Sequence, residues 1–98
     1  IFSTSTPIYI ATISEVELFG FKGLNPNESS RVEPLLTTLA IVPLDSKIAR
    51  DAASLRKKYN LKTVDAVIAA TSLFTDSILV TRDIRDFRKV SELSILVI

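Results

Sequence analysis

The chain has 98 residues, 47% of them apolar, and a formal net charge of +1. That is enough apolar material for one small core, and too little charge to argue for a nucleic-acid partner by itself. With no Cys and no His, the chain lacks a disulfide framework, the preferred zinc ligands, and the means for Ser-His or Cys-His nucleophilic catalysis.

Catalysis, if present, must rest on carboxylates, hydroxyls, Lys, Arg or a hard metal held by oxygen. No apolar run approaches ~18 residues, so no membrane span is expected. A cytoplasmic setting is expected, since nothing in Ile1 to Pro7 resembles a signal peptide. Met is absent and the chain starts at Ile1, from which a missing N-terminal part is expected.

Pro7 to Thr12 is short, apolar and β-branched, and reads as a buried strand. Ile13 to Phe21 switches to helical spacing, with Ile13, Val16 and Phe19 or Gly20 on one side. Asn25-Pro26-Asn27-Glu28 reads as a helix start, with Asn25 as cap and Pro26 at the first helical position. Val32, Leu35, Leu36 and Leu39 continue it as an apolar stripe. Pro34 conflicts with an unbroken helix, so the helix either bends there or starts near Ser30.

Ala40 to Leu44 reads as a second strand. Asp45 or Ser46 caps the next helix, with Ile48, Ala52, Leu55 and Tyr59 on one face and Asn60 as C-cap. Lys57 and Lys58 suit its C-terminal end. Thr63 or Val64 to Phe74 is apolar nearly all round and should be central. Ile78 to Thr81 reads as a third strand, Asp83 to Val90 as a short helix or turn, and Ser94 to Ile98 as a last strand. This alternation predicts a single α/β domain with a parallel sheet covered by helices.

The acids concentrate at the helix starts. Glu17 could close a capping box with Ser14, and Glu15 one with Thr12. Asp65 follows Thr63 in a first helical turn, where a carboxylate favours the dipole. Asp83 and Asp86 repeat the pattern. Each acid alone can be explained as a cap. As a set, Glu17, Asp65, Asp83 and Asp86 follow strands or open a buried helix, and they would repel one another on a shared sheet edge unless a cation neutralised them. Arg82 and Arg85, with Arg88 and Lys89, could hold phosphates or could form a solvated basic turn. Tyr9 and Tyr59 read as packing residues. The Leu-rich faces read as core or dimer interface.

Three segments carry a resemblance. Ile13-Ser14-Glu15-Val16-Glu17-Leu18-Phe19-Gly20, Lys62-Thr63-Val64-Asp65-Ala66-Val67-Ile68-Ala69-Ala70-Thr71, and Leu79-Val80-Thr81-Arg82-Asp83-Ile84-Arg85-Asp86-Phe87 look like the second, third and fourth acidic motifs of PIN domains. The closest flavour is the toxin nuclease of prokaryotic toxin–antitoxin pairs. The resemblance implies a Rossmann-like parallel sheet and, in the full-length protein, a ribonuclease dependent on Mg²⁺ or Mn²⁺, with the chain as it stands expected to be inactive. It assigns Glu17, Asp65, Asp83 and Asp86 to catalysis, with Asp65, Glu17 and Asp86 on the metal and Asp65 as a direct ligand. Either Asp83 or Asp86 can be the fourth acid. Arg82 and Arg85 would contact RNA. An antitoxin and a second copy of the chain are the implied partners.

The family's first strand, with its Asp, has no counterpart in this chain. Two alternatives therefore stand beside the nuclease. One is an incomplete or inactive PIN-like protein that only binds a partner chain or RNA. The other is an unrelated α/β domain whose acids are all caps.

Overall fold

The structure is a computed structural model, and it describes residues 8–37, 39–81 and 84–97, without the side chains of Leu35 and Leu36. In chain order the elements are β1 (Tyr9–Ala11), α1 (Thr12–Phe19), α2 (Pro26–Leu36), β2 (Ala40–Val42), α3 (Ser46–Tyr59), α4 (Thr63–Phe74), β3 (Ile78–Thr81), a short 3-10 turn (Phe87–Lys89) and β4 (Ser94–Val97). Where a short helix or turn is expected over Asp83 to Val90, the described residues hold that 3-10 turn. The chain divides into two compact units, Ile1–Pro43 and Leu44–Ile98.

In the first unit, β1 and β2 pair in parallel, with Tyr9 opposite Ala40 and Ala11 opposite Val42. Ala11 and Val42, at the carboxyl ends, are its buried positions. Helix α1 leaves β1 directly. Of the residues read on one side of it, Val16 is 67% exposed and Phe19 is exposed, while Ile13 is half-buried, as is Leu18.

Helix α2 resolves the Pro34 conflict. It starts at Pro26, where the Glu28 amide donates to Asn25 Oδ1 at 2.8 Å and the Asn25 amide to Glu28 Oε1 at 3.4 Å. That reciprocal pair is a capping box. Pro34 lies inside the helix but near its end. Two residues beyond it the helix stops, and both the amide and the hydroxyl of Thr37 donate to the Pro34 carbonyl, at 3.2 and 2.6 Å. Having no amide, Pro34 leaves the Ser30 carbonyl without its helical bond, and α2 ends soon after.

The second unit holds most of the core. Asp45 caps α3 by accepting from the Ile48 amide at 2.9 Å. Ile48, Ala52 and Leu55 form the buried face of α3, while Asn60 ends the helix in a left-handed conformation with φ of 55°. Opposite lie Ala66, Val67, Ala69 and Ala70 of α4, all buried. Small residues let two helices pack at close range. Ile48 and Val90, each 1% exposed, anchor the core, and burial of such a side chain stabilises by about 1.5–3 kcal/mol.

The two buried hydroxyls of α4 are satisfied: Thr71 donates to the Val67 carbonyl at 2.8 Å, and Ser72 to the Ser77 carbonyl at 3.0 Å. Asp76, with φ of 50°, then turns the chain into β3. Strand β3 pairs in parallel with β4 from Ile78 opposite Ser94 to Thr81 opposite Val97. All pairings are parallel, as an α/β fold requires. Among the described residues they form two two-stranded sheets, β1 with β2 and β3 with β4.

Candidate active site

The predicted site residues divide between the units. Glu17 lies on α1 in the first unit and is exposed. Asp65 and Asp86 lie in the second and are half-buried. Asp83 and Arg82 fall outside the described residues, and Arg85 is exposed in the turn after β3.

The capping explanation of these acids can be checked one helix at a time. Helix α1 has Ala11 at its cap position and no side-chain cap bond. Thr12 is the first helical residue and Ser14 the third, so neither Ser14 with Glu17 nor Thr12 with Glu15 forms the expected capping box. The chain passes from β1 into α1 with no intervening residue, which carries the helix start upstream of both hydroxyls. Helix α4 has Lys62 at its cap position and again no side-chain cap bond. Asp65 stands in its first turn, where the helix dipole favours the carboxylate. Asp86 precedes the 3-10 turn without capping it. Its carboxylate instead meets the Lys89 ammonium at 3.3 Å, and its side chain is 21% exposed.

Helices α2 and α3, which carry no predicted site residue, are capped conventionally by Asn25 and Asp45. Glu15 deserves a place beside the predicted acids. It is half-buried in the first turn of α1, whereas Glu17 is exposed. Sequence reading treated Glu15 only as a cap, and exposure along a short helix with a weak apolar stripe was the signal it lacked.

The donors fit a hard cation by type, being oxygen alone, with no nitrogen or sulfur ligand residue in the chain. Among the described residues, however, no three acidic side chains gather closely enough to hold a metal ion.

A second polar cluster was not foreseen. The Tyr59 hydroxyl donates to Glu92 Oε1, and it lies 3.3 Å from the Ser91 hydroxyl. Ser91 itself donates to Glu92 at 3.0 Å. The Lys58 ammonium lies 3.8 Å from Glu92 and 5.0 Å from the Tyr59 ring centre. The hydrogen bond from Tyr59 is the main reason the Glu92 carboxyl titrates below the usual range. Hydrogen bonding with Tyr59, followed by the charge of Glu92, raises Lys58. Tyr59 thus fastens the β3–β4 connection to α3, more than a packing residue would. Its partners lie over thirty positions away, so local sequence gave no sign of them.

Beside this cluster lies an open cavity of about 260 Å³, lined by Asp51, Ser54, Leu55, Lys58, Ala70, Leu73 and Glu92. It contains none of the predicted site residues. Among the described residues no helix is long and apolar enough to cross a membrane.

No curated protein sequence matches the chain. Among solved structures it is similar to a chain of a toxin–antitoxin complex from Klebsiella pneumoniae. The TM-score is 0.75 at 29% identity, over 90% of this chain and 71% of that one. The model of the PIN domain family matches residues 6–93, a span that includes Glu17, Asp65, Asp83 and Asp86, and the chain therefore belongs to the PIN domain family.

Proposed function

We propose that this chain is the nuclease of a toxin–antitoxin pair, a ribonuclease dependent on Mg²⁺ or Mn²⁺. The observation that carries this reading is the division of labour among helix starts. The two helices without predicted site residues use Asn25 and Asp45 as caps, whereas α1 and α4, which carry Glu17 and Asp65, have no side-chain cap bond at their cap positions Ala11 and Lys62. A carboxylate that is not the cap residue of its helix is a candidate for metal binding.

When bound, the divalent ion would supply Lewis acidity and a water of lowered pKa. Asp65 would be its direct ligand, held by the most buried helix of the chain. Glu17 would bind the ion or orient the attacking water. Asp86 or Asp83 would complete the acidic set, and the Lys89 partner of Asp86 offers a cation that can move to a phosphate oxygen. Arg82 and Arg85 would steady the RNA backbone.

The antitoxin is proposed from the complex to which this chain is similar. Exposed apolar side chains give a partner something to cover: Val16, Phe19 and Phe21 in the first unit, and Phe74, Ile78 and Val97 in the second. A homodimer is proposed on the same ground, and a cytoplasmic location follows from an RNA substrate.

The test is incubation of the chain with single-stranded RNA in Mg²⁺, in Mn²⁺ and in EDTA. Cleavage in either metal and none in EDTA is expected. Equal cleavage in EDTA, or none in any condition, would overturn the proposal.

A further inference from the structure

The two units differ in charge. Ile1–Pro43 carries two basic and four acidic side chains, while Leu44–Ile98 carries ten basic and seven acidic. Much of the excess sits on α3 and just beyond it, at Lys47, Arg50, Arg56, Lys57, Lys58 and Lys62, all of them exposed.

Some of these cations have evident structural roles. Lys47 pairs with Asp51 at 2.9 Å, and Lys58 faces Glu92. Lys57 lies in the last turn of α3, where the helix dipole favours a cation. Arg50 has no such role. It stands well inside α3, beyond the reach of the terminal dipole. Its neighbours three and four positions away are Ser46, Lys47, Ala53 and Ser54, so no carboxylate can pair with it along the helix.

Arg50 and Lys57 are seven residues apart, so they fall on one stripe, separated by about 10 Å along the axis. That stripe lies opposite the buried face of Ile48, Ala52 and Leu55. Ala53 and Ser54 between them are small and leave the approach open.

Lys62 is also misplaced by ordinary rules. It occupies the cap position of α4, the positive end of the dipole, and supplies no cap bond. Among the described residues neither Arg50, Lys57 nor Lys62 has an ion-pair partner. From the end of α3 at Tyr59, three residues of chain reach Lys62, and three more reach Asp65. The stripe therefore runs toward the end of the hairpin where Asp65 opens α4.

We infer that Arg50, Lys57 and Lys62 form a phosphate track that holds the backbone of single-stranded RNA leading to Asp65. The inference rests on the ribonuclease reading and adds a substrate-binding surface to it. The track accounts for Arg50 on the exposed stripe and for Lys62 at the wrong end of a helix dipole, and Lys57, already favoured by the α3 dipole, extends it. It reads no base, so it sets affinity and not sequence preference.

The test is binding of a fluorescent single-stranded RNA to the full 98-residue chain in EDTA, followed by anisotropy over a range of salt. The double variant Arg50→Gln with Lys57→Gln should bind roughly 10-fold more weakly, with the salt slope shallower by about 1.4, since each phosphate contact contributes about 0.7 for a single strand. A charge-matched control, Lys22→Gln with Arg31→Gln, should bind as the unaltered chain does. Unaltered melting temperatures in both pairs would exclude unfolding as the cause.

Equal loss in both pairs would mean diffuse attraction and would overturn the track. No loss in the α3 pair would overturn it too, as expected if the stripe serves an acidic protein surface instead. If the unaltered chain cuts RNA in Mg²⁺ while the α3 pair binds normally, the track alone fails. If the unaltered chain neither binds nor cuts RNA, the ribonuclease reading fails with it.

Discussion

Helices α3 and α4 pack on each other, yet they begin in opposite ways. Helix α3 opens on Asp45, which is spent on the Ile48 amide. Helix α4 opens on Lys62, caps nothing, and carries its acid three residues in, at Asp65. The first arrangement follows stability; the second departs from it. Local departures of this kind are where function is expected to reside, because the rest of the fold must offset their cost. The same residue type thus stands in two settings: Asp45 is the cap of α3, and Asp65 lies in the first turn of a helix whose cap position is Lys62.

The sharpest way to break this comparison is to exchange the roles. Asp65→Asn keeps shape and removes charge, so RNA cleavage in Mg²⁺ should fall roughly 100-fold or more, with the melting temperature within a few degrees of the unaltered chain. Wild-type cleavage by this variant, measured on the same RNA, would return Asp65 to a dipole role. Asp45→Ala should do the reverse. Loss of the cap costs about 1 kcal/mol, which lowers the melting temperature of a domain this size by about 4 °C. Cleavage per folded molecule should not change. A specific loss of cleavage in Asp45→Ala would show that the two acids are not functionally distinct.

The smallest effect comes from pH. The Glu92 carboxyl is lowered in the folded chain, so the folded state binds fewer protons in that range than the unfolded state. The resulting stability is present above the unfolded value and is lost as pH falls below it through the folded value. Lys58, raised, behaves in the opposite sense: its contribution is present below the ordinary lysine range and is lost as pH rises through the raised value. Because the pair is solvent-exposed, these effects are minor. Tyr59→Phe should shrink the acid-side loss in a pH series of melting temperatures. An identical acid limb in both proteins would remove Tyr59 as its cause.

Much of this was readable in the sequence. Strand β3 spans Ile78–Thr81, as read from the sequence. Helix α3 was legible because its signals agree: Asp45 before the first turn, an apolar face at helical spacing, Asn60 after the last residue. The start of α1 was not legible. Thr12, Ser14 and two glutamates offered two capping registers, and the strand ran directly into the helix and used neither. Helix α2 was ambiguous only until the mutual bonds of Asn25 and Glu28 decided its start.

The candidate site was legible as residue types, with Asp65 in a first helical turn and Glu17 further along α1. Its distinction from mere capping was not, since that depends on which atoms accept which amides. The unpaired state of Arg50 lay in between. The absence of an acid three or four residues away can be read directly, but its exposure opposite the core requires the fold.

The Tyr59–Glu92 link has a consequence for how the chain resists attack. Arg85, Arg88 and Lys89 are exposed in the β3–β4 connection, and each offers trypsin a bond. A protease needs the connection to open, and its end is tied to α3 by a phenol, a carboxylate and a serine hydroxyl. Local opening costs less where fewer contacts must break. In Tyr59→Phe, limited trypsin digestion should therefore nick this connection first and faster than in the unaltered chain, before α3 and α4 come apart. One hydroxyl group would then set how long the second unit survives in the presence of proteases.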